Sequence, residues 1–219
     1  MRLISTYHSC RDDWKTLFSL AEYLKFMMGI SDHSRVVFAD EKPMKGKDIY
    51  GKVRRNVMTG NTPAHKMIYS AKIRLNILAA VTVKGRSTRP VEYFILEKVS
   101  TNSQIFLQFV RRLLSVGTLR TWDIFVVDNC SVHIQGDNIG LRETLLRRYG
   151  ILMITLPPYH PELNPTELVL NTLVMRLRSL RARYRSADMA DFKTIVRMVL
   201  DNISLEDVTN FYNFCGYYF

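Results

Sequence analysis

The sequence predicts an α/β fold: a mixed sheet of about five strands flanked by helices, with extra helices at both ends. Three observations predict it. Apolar runs of strand length recur, and two of them end in aspartate, Arg35–Asp40 and Asp123–Asp128. Two further runs, Arg74–Val83 and Pro90–Val99, flank Lys84-Gly-Arg-Ser-Thr, which is a hairpin pattern. A helical segment at about Asn138–Tyr149 separates Asp123–Asp128 from the run Ile151–Leu156. Together these form a β-α-β unit, expected parallel and right-handed.

Taken in order, residues 11–28 read as a helix. Asp12 and Asp13 suit its positive end, and Trp14, Leu17, Phe18, Ala21, Leu24 and Met28 recur at helical spacing. That stripe is expected to pack on the core, and Gly29 is a stop signal. Arg35–Asp40 is the first strand. Glu41 to Tyr69 reads as a basic loop with Lys-Gly-Lys, Thr-Gly-Asn and Thr-Pro turn signals. In the first hairpin strand Ile77–Val81 and Val83 are nearly all apolar, as expected of a strand covered on both faces.

Ser103–Ser115 is an amphipathic helix that turns Ile105, Phe106, Phe109, Val110, Leu113 and Leu114 inward and ends at Gly117. After Ile151–Leu156 comes a Pro-rich loop, then a helix from Asn164 to about Tyr184. Asn164 can cap it, and Pro165 suits its first position, where a missing N–H costs nothing. Ala187–Ile203 and Ser204–Cys215 read as two more helices. Ser204-Leu-Glu-Asp207 has the form of a capping box with Asp in place of Glu or Gln. The expected organisation is an N-terminal helical segment (1–34), a central α/β unit (35–186) and C-terminal helices packed on it (187–219).

Composition excludes several classes. An apolar content of 47% is ordinary for a globular core. No apolar run approaches the roughly 18–20 residues of a membrane span, and MRLISTYHSC lacks the apolar stretch of a secretory signal. Cys10, Cys130 and Cys215 have no zinc-ligand spacing and read as reduced thiols of an intracellular protein. The net charge is +11, which points to a polyanionic partner. Residues 41–74 hold nine Lys/Arg against Glu41 and Asp48, and residues 168–185 hold five Arg and no acid. Lys42, Lys45, Lys47, Arg54 and Arg55 in the first cluster, and Arg176, Arg178 and Arg181 in the second, are candidates for contacting a phosphate backbone.

Glu167 falls three residues after Asn164, which allows two readings. It folds back in a capping box, or it is a carboxylate held at a rigid helix start beside a strand end. Asp40 and Asp128 favour the second, because functional groups of α/β sheets gather at the carboxyl ends of strands. Three gathered carboxylates repel one another unless cations lie between them, and hard divalent ions, Mg²⁺ or Mn²⁺, suit oxygen donors.

Val126-Val-Asp-Asn-Cys-Ser-Val-His133 with Leu156-Pro-Pro-Tyr-His-Pro-Glu-Leu-Asn-Pro-Thr-Glu167 resembles the catalytic core of the Tc1/mariner and IS630-like DDE transposases. Phe38-Ala-Asp-Glu-Lys-Pro43 resembles the first acidic motif of that family. The resemblance runs from about Val36 to the C-terminus. It implies an RNase H-like fold, which matches the order strand, hairpin, helix, strand, helix, strand, helix reached by pattern. It also implies that Asp40, Asp128 and Glu167 form the acid triad and hold two Mg²⁺ or Mn²⁺ ions. The implied activity is metal-dependent DNA cleavage followed by strand transfer.

The partners so implied are double-stranded DNA, as transposon ends and target, and a second copy of the chain in the DNA complex. The location expected is nuclear in a eukaryote. Asn129, His133 and Asn164 are candidate supporting residues. The family's N-terminal helix-turn-helix modules do not fit into the 34 residues before the first strand. The expectation is therefore the catalytic part of a longer protein or a truncated copy. Two other functions stay open: a catalytically silent or domesticated DNA-binding derivative, and another RNase H-like nuclease.

Overall fold

The computed structural model describes residues 13–45, 74–83, 89–128, 140–180 and 189–219. Five strands form one sheet in the order β3-β2-β1-β4-β5. They are β1 (Val36–Lys45), β2 (Arg74–Val81), β3 (Val91–Glu97), β4 (Ile124–Val127) and β5 (Leu152–Thr155). The pairs β1–β2 and β2–β3 are antiparallel, and β1–β4 and β4–β5 are parallel. The sheet is thus the mixed one expected.

Strand alternation divides the core in two. Val36, Phe38, Ile77, Ala79, Val81 and Val126 face one way, under helices α4 (Pro165–Leu180), α5 (Met189–Asp201) and α6 (Leu205–Phe214). Val37, Ala39, Leu78, Ala80, Phe125 and Val127 face the other way, under α2 (Ser103–Val116) and α3 (Leu141–Tyr149). β2 is buried along seven of its eight residues, as a two-sided apolar run requires.

Local side chains set the helix ends. Asn102 caps α2 by accepting from the Ile105 amide, and Gly117 closes it in the left-handed conformation. Ser204 and Asp207 form the complete capping box of α6, so Asp serves where Glu or Gln is usual. Gly150 ends α3 at φ 64°, with the Trp122 ring 3.1 Å from where a Cβ would stand. Only glycine meets both demands there.

Two expectations need correction. The first strand does not stop at Asp40 but continues to Lys45, because β2 is long enough to pair with every residue from Phe38 to Lys45. β4 pairs with β1 only over Val36–Ala39. Beyond that point one edge of β1 has no strand partner among the described residues, so Pro43, which lacks an N–H, is tolerated.

The second correction is the orientation of α1 (Trp14–Met28). Its buried residues are Thr16, Tyr23 and Met27, whereas Trp14, Leu17, Phe18, Leu24 and Met28 are exposed. The helix lies beside the edge strand β5, where Tyr23 and Phe26 share a shallow cavity with Met153, Ile154 and Thr155. Its narrow face is anchored instead by a polar contact: the Tyr23 hydroxyl lies 2.8 Å from the Tyr217 hydroxyl.

The C-terminal helices tie the layer together. Tyr212 is fully buried, and its hydroxyl reaches the carbonyls of Val36 and Val81 at 2.8 and 2.9 Å. Its ring packs edge-on against Phe38 at 5.4 Å. Tyr217 donates to the Leu163 carbonyl at 2.7 Å, just before α4 begins.

Candidate active site

Asp40 sits where β1 parts from β4, one residue past the Ala39–Val127 pair, and Asp128 follows Val127 directly. Both aspartates therefore lie at the carboxyl edge of the parallel part of the sheet. Asp40 is in phase with Val36 and Phe38, so it looks toward α4. Asp40 and Asp128 line one cavity of about 440 Å³, walled by the loop Leu156–Pro161 and by Asn164.

Asn164 is 3% exposed and does two jobs. Its Nδ2 donates to Asp40 Oδ2 at 2.8 Å, and its Oδ1 accepts from the Thr166 amide at 3.1 Å. One side chain thus caps the first turn of α4 and fixes the carboxylate on β1. The other Asp40 oxygen accepts from the Glu41 amide at 2.7 Å. Glu41 points the other way and accepts from Asn76 Nδ2 at 3.3 Å, as a residue out of phase with Asp40 must.

Glu167 stands on the first turn of α4. Its carboxylate does not close a capping box, because the Asn164 amide is spent on the Pro161 carbonyl. It pairs with Lys42 instead, with Nζ 2.9 Å from Oε1, and Lys42 also donates to Asn171 Oδ1 at 2.9 Å. Lys42 is in phase with Asp40 on β1, which is what brings it under α4. Glu167 is not part of the cavity lining, and among the described residues no three His, Cys, Asp or Glu side chains are grouped closely enough to hold a metal ion.

The donors at hand are nevertheless hard carboxylate oxygens, two of them on one cavity wall and the third on the adjoining helix turn. That chemistry fits Mg²⁺ or Mn²⁺ and not a soft metal. Tyr159, at the tip of the wall, has φ 62° and is 48% exposed. An aromatic residue in the left-handed region is strained by about 1–3 kcal/mol, as is Trp122 at φ 69°, away from this cavity. His160 beside it is buried and pairs with Glu162 at 3.0 Å.

The basic candidates divide. Lys42 is engaged as described, and Lys45 is exposed at the end of β1. Arg176 is turned inward to α6: it donates to the Asn202 carbonyl and to Asp207 Oδ2, both at 3.0 Å. Arg178, on the last turn of α4, is exposed. Lys47, Arg54, Arg55, Asn129, His133 and Arg181 lie outside the described residues.

A family model described as DDE superfamily endonuclease matches residues 35–191. The chain belongs to that family. No curated protein sequence matches this DDE endonuclease. Its fold is similar to that in a pre-cleavage Mos1 transpososome, with TM-score 0.59 at 16% identity, covering 100% of this chain and 67% of that one. It is also similar to the Mos1 Strand Transfer Complex (TM-score 0.57, 17% identity, 100% and 66% covered) and to the Mos1 mariner paired end complex with Mn (0.55, 17%, 100% and 67%). At such identities the likeness is one of fold, the RNase H-like fold of transposase catalytic domains. The DDE endonuclease spans about two thirds of the length of those chains.

Sequence reasoning missed two residues, Asn171 and Tyr217, and one pairing. Lys42 is a phosphate-contact candidate in the sequence, and its pairing with Glu167 carries no signal there, because the strand reads as ending at Asp40. Asn171 is one helical turn beyond Glu167, the spacing at which two side chains reach one partner. Tyr217 carries no local signal of its hold on Leu163, because 54 residues separate the two.

Proposed function

We propose that this chain is the catalytic domain of a DNA transposase of the Tc1/mariner type, which cuts DNA at element ends and joins the freed strand to target DNA. The observation that carries this reading is the meeting of Asp40 and Asp128 in one cavity, with Asn164 holding Asp40 from the helix that bears Glu167. The family match and the likeness to Mos1 complexes support it.

In this reading Asp40 and Asp128 would hold two divalent ions, and Glu167 would add a carboxylate to one of them. When bound, such ions activate the attacking water or 3′-hydroxyl and stabilise the leaving 3′-oxygen. The chain's own residues arrange the rest. Asn164 orients Asp40, the Leu156–Pro161 wall shapes the approach of the strand, and exposed Lys45 and Arg178 are cations offered to the DNA backbone beyond the cavity. Residues 35–186 form the catalytic unit, with 1–34 and 187–219 as added helical segments. The partners are transposon-end and target DNA with a second copy of the chain, and the compartment is the nucleus where the host has one.

The test is nicking of supercoiled plasmid in Mg²⁺ or Mn²⁺. Asp128→Asn keeps the shape and removes a charge, so cleavage should fall by at least about a hundredfold with folding and DNA binding retained. Normal cleavage by the variant would overturn the assignment. One observation favours a second reading, DNA binding without cleavage: Glu167 is held by Lys42 and not turned to the cavity. Wild-type chain that binds DNA and never nicks it would support that reading.

A further inference from the structure

Lys42 bridges two elements at the edge of the site. It reaches from β1 to α4 and places its ammonium 2.9 Å from both Glu167 Oε1 and Asn171 Oδ1. An ion pair as partly exposed as this one adds little to the stability of the fold. Its placement has a larger consequence. The ammonium satisfies the Glu167 carboxylate with a positive charge supplied by the protein, on the helix turn that follows Asn164, the residue holding Asp40.

We propose that Lys42 is a latch on Glu167: it competes with a divalent ion for that carboxylate, and when an ion takes Glu167 the freed ammonium turns to a DNA phosphate. The inference rests on the reading that Asp40, Asp128 and Glu167 are the ion-holding acids. Three features support it. Lys42 and Asp40 share one face of β1, so a lysine released from Glu167 stays beside the cavity. Asn171 gives it a second, neutral partner that does not depend on the ion. Lysine carries three donors on a flexible stem, so it can exchange one acceptor for another without backbone movement. The latch makes ion loading and phosphate capture favour each other, since each removes what holds the other back.

The experiment uses the full chain with Lys42→Met, which keeps the stem and removes the charge. Titration calorimetry with Mn²⁺ alone, without DNA, should show affinity tightened on the order of tenfold over wild type, because a competitor and a like charge are both gone. In Ca²⁺, used as an ion that does not support cleavage, the salt dependence of DNA binding should be shallower for the variant by about one phosphate contact. In EDTA the two slopes should coincide. Lys42→Gln also removes the charge and should tighten Mn²⁺ in the same direction; it carries the test if Lys42→Met does not fold. Unchanged Mn²⁺ affinity in the variant, with wild-type binding that Asp128→Asn abolishes, overturns the latch and leaves the metal site standing. Absence of any Asp128-dependent Mn²⁺ binding overturns both.

Discussion

Single residues decide the site because each is held by something specific. Tyr159 is the clearest case. Its φ of 62° is adopted by glycine without strain and by tyrosine only under constraint. Tyr159→Gly relieves that strain, with the extra freedom of the unfolded glycine as partial offset. The expected outcome is thermal stability within about 1 kcal/mol of wild type together with a clear loss of DNA cleavage, read by melting and nicking on one preparation. Equal loss of both would mean that the ring is only a packing group. At this scale the sequence was informative about kinds of residue and less so about partners. The two aspartates and Asn164 announced themselves through the runs and loop that place them. The Glu167–Lys42 pair did not, because a lysine beside an acidic motif reads equally as a phosphate contact until the helix is seen to lie over the strand.

Elements are fixed by a few buried polar contacts as well as by apolar area. The Tyr212 hydroxyl meets the carbonyls of Val36 and Val81, which lie at the end of the β1–β2 ladder. Tyr212→Phe leaves both acceptors buried without this donor, so we expect a loss of about 1–3 kcal/mol, measured by denaturant titration with the m-value unchanged. A loss below about 0.5 kcal/mol would show that neighbouring groups take over. Arg176 does comparable work between α4 and α6. Burial would raise the Asp207 carboxyl, but the Ser204 amide and the Arg176 guanidinium outweigh it and hold that carboxyl below its ordinary value. Helix limits were legible where a cap or a glycine stood at the end. The orientation of α1 was not. Its widest apolar stripe, Trp14 to Met28, is exposed, and a narrower face with one tyrosine is buried. Periodicity reports that a helix has faces, but which one is covered depends on what the rest of the chain offers, here the Tyr217 hydroxyl.

For the whole molecule, the buried phenols and thiol make a prediction about pH. Burial pushes Tyr23, Tyr212 and Tyr217 well above their ordinary value of 10.0, and burial with the nearby Glu162 charge pushes the Cys215 thiol from 9.0 up to about 12. Below about pH 9 these groups are protonated in both states and add no pH dependence. Above it the unfolded chain releases protons that the folded chain retains, so stability must fall as pH rises from about 9 toward 12. Melting temperatures at pH 8, 9.5 and 10.5 should descend, more steeply over the second interval. A flat profile would mean that these groups are already open to solvent. The global architecture was the most legible level, since a hairpin, a β-α-β unit and two acid-ended runs leave few topologies. The length of β1 was the exception, because a proline and two lysines looked like the start of a loop.

That extra length has a consequence for how copies of such a chain decay. Asp40 and Lys42 reach the α4 side only because each is an even step from Phe38. One residue inserted between Ala39 and Asp40 leaves the pairing with β4 intact, yet turns both side chains to the α2 side and brings Glu41 round in their place. An insertion or deletion of an odd number of residues at this point of β1 would therefore take the proposed site apart in one event. By contrast, the exposed stripe of α1 can accumulate substitutions without touching the site.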